Sequence, residues 1–212
     1  AQLDGLLGSF LRNPDVPQLL RVQIAADRAA ESEEARAWLR ATVPSSAGLV
    51  GVRLVRALGE QAQAVDHEVL AEIAGDPARS GVVRAEAVRF LARVPGGLPT
   101  LRRLVAEPPN DFETAEAVVE AAVLSGEPEL RAAVILAVGD GFGRGADRAD
   151  EIEALWRTLW RAQSREPMHS EAPALLQLAR AHLARLPEED PSSAWPDPRA
   201  LRGDHTSLVE VV

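Results

Sequence analysis

A glycine-rich segment, Gly139 to Gly145, has the composition of a ligand-binding loop. Its letters are GDGFGRG, and the backbone N–H groups of such loops can bind phosphate oxygens. The segment follows a predicted helix rather than a strand, matches neither the dinucleotide nor the Walker spacing, and the chain has no Lys to contact a phosphate. A calcium loop starting at Asp140 also fails, because its third and fifth positions are Phe142 and Arg144. We interpret the segment as a flexible connection between helices.

The residue types present give little support for a metal site or for a nucleophilic active site. The four His, at positions 67, 169, 182 and 205, form no close-spaced ligand pair. A helical zinc or di-iron site uses His or carboxylate ligands three or four residues apart on one face. The chain also has no Cys and no G-x-S-x-G segment. We therefore expect no enzymatic activity, no metal and no cofactor.

An aromatic and basic pattern lies near residue 160. Trp156 and Trp160 are four residues apart, and Arg157, Arg161 and Arg165 repeat with the same spacing on another face of the predicted helix. Packing of the two Trp in the core, with the Arg residues on a solvated edge of the helix, explains this pattern without a binding function. The functional interpretation is a ridge that binds an acidic or proline-rich segment.

The composition excludes several classes of partner. The chain of 212 residues has a net charge of −9 and no basic stripe, so its surface repels a nucleic acid backbone. No stretch approaches the roughly 18 to 20 apolar residues that span a bilayer, and the first residues lack the basic region of a signal peptide. We expect a cytoplasmic protein without nucleic acid or membrane partners.

Apolar residues recur at helical spacing along most of the chain, and Pro, Gly, Asp and Ser separate the periodic segments. Aromatic residues make up only 4% of an Ala-rich sequence, which favours helices over strands. The pattern predicts eleven helices, at residues 3–11, 16–30, 32–42, 46–61, 65–74, 80–94, 98–107, 112–125, 128–138, 146–164 and 170–186. Residues 187–212 carry four Pro with acidic and small residues, which predicts an extended tail. Trp195 and the apolar last residues predict that the tail docks, on its own chain in preference to another molecule.

Internal repetition relates these helices to one another. Residues 54–60 align with residues 87–93 at an offset of 33, which pairs Arg56 with Arg89. The letters AEAV occur at residues 85–88 and again at 115–118, and residues 98–105 align with residues 127–134. A period near 30 that contains two helices is typical of a unit that buries its apolar face by stacking on its neighbours.

The segment from Asp76 to Val105, DPARSGVVRAEAVRFLARVPGGLPTLRRLV, resembles a bacterial HEAT-type repeat. The resemblance rests on its Asp-Pro opening, its Val-Arg and Ala-x-x-x-Leu spacing and its Pro-started second helix, and PELRAAVILAVGD from Pro128 is similar. It covers residues 46–139 best. It implies an all-α superhelix of stacked antiparallel helix pairs at residues 1–186, followed by the tail at 187–212. A compact helical domain with TPR-like or orthogonal packing is the alternative fold.

The HEAT-like resemblance also implies that the second helix of each pair lines a concave face. On those helices the exposed charged residues are expected to be Glu68, Glu72, Arg102, Arg103, Glu129 and Arg131, with Trp156 and Trp160 nearby. A solvated charged surface explains the same residues without a partner.

We therefore hypothesise an interaction scaffold or adaptor for another protein or peptide, of unknown oligomeric state. A small-ligand-binding or enzyme-accessory domain, lined by Trp156, Trp160 and Arg157 or Arg161, is the second hypothesis. Because Ala1 is not an initiator Met, a module cut from a larger protein is the third.

Overall fold

The computed structural model describes residues 2–163, apart from residues 62 and 64. This part of the chain contains ten α-helices and no strand, which confirms the predicted all-α class. The predicted helix at 170–186 and the tail at 187–212 lie outside the described residues. The helices are α1 (Gln2–Arg12), α2 (Gln18–Arg28), α3 (Glu33–Thr42), α4 (Gly48–Glu60), α5 (Asp66–Gly75), α6 (Gly81–Leu91), α7 (Leu98–Ala106), α8 (Phe112–Leu124), α9 (Pro128–Gly139) and α10 (Ala149–Gln163).

The helix ends differ from the predicted ones where local capping decides them. Ser32 is the N-cap of α3 rather than its first residue, and its hydroxyl oxygen accepts a hydrogen bond from the Ala35 N–H at 3.4 Å. Asp111 caps α8 in the same way, accepting from the Thr114 N–H at 2.8 Å. The start of α10 falls at residue 149 rather than 146, because a 3₁₀ turn, Ala146–Arg148, precedes it.

The helices pack in two rows. Each even-numbered helix packs against the next even-numbered one, so that α2, α4, α6, α8 and α10 form one continuous row, called here the even row. The odd-numbered helices pack against the even row, and α7 also packs against α9. Each helix therefore buries its apolar face mainly against helices that are near it in the sequence.

Small side chains let α4, α6 and α8 approach closely. Buried residues of α6 and α8 include Ala85, Ala87, Ala117 and Ala121, which leave space for a neighbouring backbone. At the contact between α4 and α6, a Cβ atom built on Gly59 would lie 2.2 Å from the Phe90 ring. Glycine at this position therefore allows the Phe90 ring to pack directly on the α4 backbone.

Arginine side chains join the loops at the amino-terminal ends of the even row. Arg79, just before α6, donates hydrogen bonds to the carbonyl oxygens of Val43 at 3.5 Å and Ser46 at 3.3 Å, and also to that of Pro44, all just before α4. These bonds satisfy carbonyl groups of the connecting segment. They hold two loops that are more than 30 residues apart in the sequence.

The glycine-rich segment contains the corresponding contact between α8 and α10. The buried Arg144 donates to the carbonyl oxygens of Pro109 at 3.4 Å and Asp111 at 3.3 Å, and to Glu151 at 2.9 Å. Phe142 beside it is 1% exposed and has a φ of 49°, a conformation that non-glycine residues seldom adopt. The segment does connect α9 to α10, as predicted, and it does so through a packed aromatic ring and a buried guanidinium.

Gly59→Ala is expected to lower the free energy of unfolding by about 1–3 kcal/mol, because the new methyl group displaces the Phe90 ring. Gly5→Ala in α1 is the matched control, since a Cβ there meets nothing within 4 Å. That change should raise stability by about 0.5–1 kcal/mol through helix propensity. Urea unfolding of both variants measures the difference, and equal effects would contradict the close contact.

Arg144→Ala is expected to cost about 2–4 kcal/mol, because the carbonyl oxygens of Pro109 and Asp111 lose their donor and Glu151 keeps only Arg148 as a partner. Arg157→Ala removes an exposed guanidinium that pairs with Glu153 at 3.3 Å, and it should cost less than about 1 kcal/mol. Thermal unfolding of the two variants compares the sites. A small loss for Arg144→Ala would mean that the glycine-rich segment does not link α8 to α10.

Candidate functional site

The residues predicted on the second helices lie on three odd-numbered helices. Glu68 and Glu72 are exposed on α5, Arg102 and Arg103 are exposed on α7, and Glu129 is exposed on α9. Arg102 pairs with Glu127 across the α7–α9 contact at 3.6 Å.

Arg131 differs from the other predicted residues on the odd-numbered helices because it is buried, with an exposed fraction of 9%. Its guanidinium is therefore not a surface group.

The two Trp of the predicted ridge have different environments. Trp156 is partly buried and packs against the hydrophobic core, as the core interpretation requires. Trp160 is 44% exposed on the next turn of α10, and Arg157 beside it pairs with Glu153 along the same helix. Trp160 is therefore the residue of this pair that a partner could contact.

A network of charged side chains crosses the even row and was not predicted as a site. The Arg56 Nε of α4 donates to Glu86 Oε1 of α6 at 2.7 Å, and Arg89 Nη1 of α6 lies 3.3 Å from Glu86 Oε2. Arg89 Nε lies 3.4 Å from Glu120 Oε2 of α8. Four charged residues thus connect three successive helices of the row.

The centre of this network is the Glu86 carboxylate, which is 7% exposed. Burying a carboxylate without partners is costly, and here both of its oxygens accept from an arginine. The hydrogen bond from Arg56 to Glu86 raises the pKa of the Arg56 guanidinium above its ordinary value. Arg56 therefore stays charged over the whole physiological pH range.

Two further arginines, Arg53 on α4 and Arg93 just after α6, flank the network and are exposed. Within the part of the chain that the structure describes, neither has a hydrogen-bond or ion-pair partner. We call Arg53, Arg56, Arg89 and Arg93 the arginine patch. Its members repeat at helical spacing on one face of each helix, with Arg53 and Arg56 three residues apart and Arg89 and Arg93 four apart.

Two depressions in the described part of the chain lie along the even row, and only one of them is beside the arginine patch. One, of about 70 Å³, lies between α6 and α8 and is lined by Arg89, Ala92, Arg93, Glu120, Ala121 and Leu124. Another, of about 200 Å³, lies between the loops before α4 and α6 and is lined by residues 44–47, 78–80 and 83. Ligand pockets usually measure about 300–1,000 Å³ and enclose most of the ligand. Both depressions are therefore better suited to a single side chain.

The described residues contain neither a metal-binding cluster nor a membrane-spanning helix. Among residues 2–163, apart from 62 and 64, no three His, Asp or Glu side chains are grouped so as to hold a metal ion. Nor does any helix in that range combine the length and hydropathy needed to cross a membrane. The expectations that the chain is not an enzyme and has no cofactor stay predictions.

The arginine patch could have been suspected from the repeat itself. The alignment at an offset of 33 pairs Arg56 with Arg89, so both occupy the same register on adjacent even-numbered helices. Glu86 and Glu120 gave no such indication, because a charged residue in a helical pattern is expected to be solvated. The burial of Glu86 and the partial burial of Glu120 depend on which helix lies beside each of them.

The comparisons with known proteins give no match from which a role for this surface could be inferred. No protein-family model, no curated protein and no solved structure matches the chain. The residues of the even row are therefore interpreted from their contacts, charge and exposure.

Glu86→Ala is expected to destabilise the protein by about 1–3 kcal/mol, because Arg56 loses its acceptor, Arg89 keeps only Glu120, and α4 and α6 lose their polar link. Glu72→Ala, at an exposed carboxylate of α5, should change stability by less than about 0.5 kcal/mol. Chemical unfolding of both variants tests the contrast. A similar small effect for both would show that the network does not stabilise the row.

Proposed function

We propose that this chain is a non-catalytic scaffold that binds another protein or a peptide segment through one face of a short HEAT-like α-solenoid. The observation that carries the proposal is the packing order, in which each even-numbered helix packs against the next and the odd-numbered helices pack against this row. Stacked helix pairs of this kind leave an extended surface along the row, which suits contact with another chain.

The unequal spacing of the helices supports a curved stack. Successive helices of the even row contact each other along the whole row. Among the odd-numbered helices, α1 packs against α3 and α7 against α9, but α5 makes at most sparse contact with α3 and α7. The inner row of a curved stack is compressed and the outer row is spread. The proposal therefore takes the even row as the concave side. The resemblance had implied instead that α5, α7 and α9 line the concave face, whereas this proposal assigns them to the outer row.

The arginine patch supports binding on the even row. Arg56, Glu86, Arg89 and Glu120 restrain one another through hydrogen bonds, so part of this face is ordered before any partner arrives. Ordered binding groups lose less conformational entropy when a complex forms. The guanidinium groups of Arg53 and Arg93, which have no partner among the described residues, lie beside them.

Affinity capture from a native lysate tests the function with the full chain and two charge-reversal variants. One variant carries Arg53→Glu and Arg93→Glu on the even row, and the other carries Arg102→Glu and Arg103→Glu on α7. We expect wild type and the α7 variant to recover the same protein in stoichiometric amount. Recovery by the even-row variant should fall by about tenfold or more, because it reverses two charges on the binding face.

The captured protein is then purified and mixed with the purified chain, and a defined complex on size-exclusion chromatography is required. Circular dichroism checks that both variants are folded. Loss of capture by the α7 variant alone would move the binding face to the odd-numbered helices. Recovery of no protein, together with a bound small molecule in native mass spectrometry, would favour the ligand-binding alternative.

A further inference from the structure

One stripe of α4 and the corresponding stripe of α6 carry a matched pattern of apolar and charged residues, all of them exposed except Glu86. On α4 the stripe is Leu49, Arg53, Arg56 and Glu60, and on α6 it is Val82, Glu86, Arg89 and Arg93, which extends just past the helix end. Each pair of corresponding positions is 33 residues apart, so the two stripes share a register on adjacent helices. Residues spaced by four, three and four lie on one helix face.

Leu49 and Val82 form the apolar end of this surface. Both are the second residue of their helix, and their exposed fractions are 63% and 49%. Leu19 occupies the same position in α2 and is 43% exposed. We call these three residues the apolar edge. Large apolar side chains exposed in a row mark contact surfaces more often than isolated ones do.

The arginine patch provides positive charge about two helical turns from the apolar edge. Glu86 and Glu120 are already engaged by Arg56 and Arg89, while Arg53 and Arg93 are unpaired within the described residues. Arg56 uses its Nε for Glu86, which leaves its two terminal nitrogens for another acceptor. Glu60 is the one exposed carboxylate within the two stripes.

From this pattern we infer that the even row binds an acidic peptide segment of a partner protein, with an apolar residue preceding two or three carboxylates. This inference rests on the proposed scaffold function and names its ligand chemistry. The apolar residue packs on Leu49 and Val82, and the carboxylates accept hydrogen bonds from the arginine patch. Seven residues of helix from Leu49 to Arg56 rise about 10 Å, which corresponds to about three residues of extended peptide.

The size of the patch favours a short peptide over a long polyanion. The patch covers two helices, which spans about 20 Å at usual helix separations. The next helix of the row, α8, presents Glu113, Glu116 and Glu120. A nucleic acid strand continuing along the row would meet these carboxylates and be repelled, whereas a segment of five or six residues stays on α4 and α6 and meets only Glu120, whose charge Arg89 offsets.

The test uses the purified full chain and fluorescein-labelled peptides of defined sequence. The main probe is LLSAEED, and its controls are LLSAQQN, which lacks the carboxylates, and SSSAEED, which lacks the apolar residues. We expect fluorescence anisotropy to give a Kd of about 10–100 μM for LLSAEED. Each control should bind about tenfold more weakly or worse, and raising the salt to about 0.5 M should weaken LLSAEED further.

Variants locate the site on the protein. Arg53→Glu with Arg93→Glu, and separately Leu49→Ser with Val82→Ser, are each expected to weaken LLSAEED binding by about tenfold or more. Among the residues that the structure describes, none of these side chains has a hydrogen-bond or ion-pair partner, so the fold should be retained. Arg103→Glu is the matched control on α7, where an exposed arginine without a partner among the described residues lies on an odd-numbered helix, and it should leave the Kd within about twofold.

Several outcomes would overturn this inference. They are absence of LLSAEED binding up to about 1 mM, unchanged binding by the Arg53→Glu and Arg93→Glu variant, or tighter binding of an oligonucleotide than of LLSAEED. Self-association that is lost in Leu49→Ser would assign the apolar edge to a second copy and overturn it as well. The peptide measurements are independent of the capture from a lysate. If a protein is captured through α7 but LLSAEED does not bind, the scaffold function stands and this inference fails.

Discussion

The close approach of α4, α6 and α8 is the constraint on which the rest of the structure depends. Gly59 lets the Phe90 ring pack on the α4 backbone, and the buried alanines of α6 and α8 let those two helices meet along their length. Larger side chains at these positions would separate the helices and open voids that a close-packed interior does not tolerate. The odd-numbered helices then cover the side of the row that remains apolar.

Close packing of the even row also brings charged residues of different helices within hydrogen-bond distance. Glu86 reaches Arg56 of the preceding helix, Arg89 reaches Glu120 of the following one, and Thr158 of α10 donates to Glu116 of α8 at 2.8 Å. Arginine suits this position because its planar guanidinium donates in several directions at once. Polar links therefore run across the same helices that the small side chains bring together.

The loops before the even-numbered helices are also joined by arginine side chains. Arg79 and the buried Arg144 each reach back to carbonyl oxygens of the loop that precedes the previous even-numbered helix. A connection between repeats has no regular backbone hydrogen bonding of its own, so its N–H and C=O groups need other partners. Arginine side chains supply those donors here. Hydrogen bonds therefore join the helices of the row at their amino-terminal ends, and the charged network joins α4, α6 and α8 farther along the helices.

The sequence by itself determined the helices, because their apolar spacing and caps are local: Ser32 and Asp111 act through residues three positions away. It also determined the repeat, which pairs Arg56 with Arg89. Only the tertiary structure decided that Glu86 is buried between two arginines, that Arg131 is buried rather than exposed, and that each even-numbered helix packs against the next even-numbered one. Those outcomes depend on contacts between residues about 30 positions apart, whose distance is set by how neighbouring helices pack and not by the spacing within either helix.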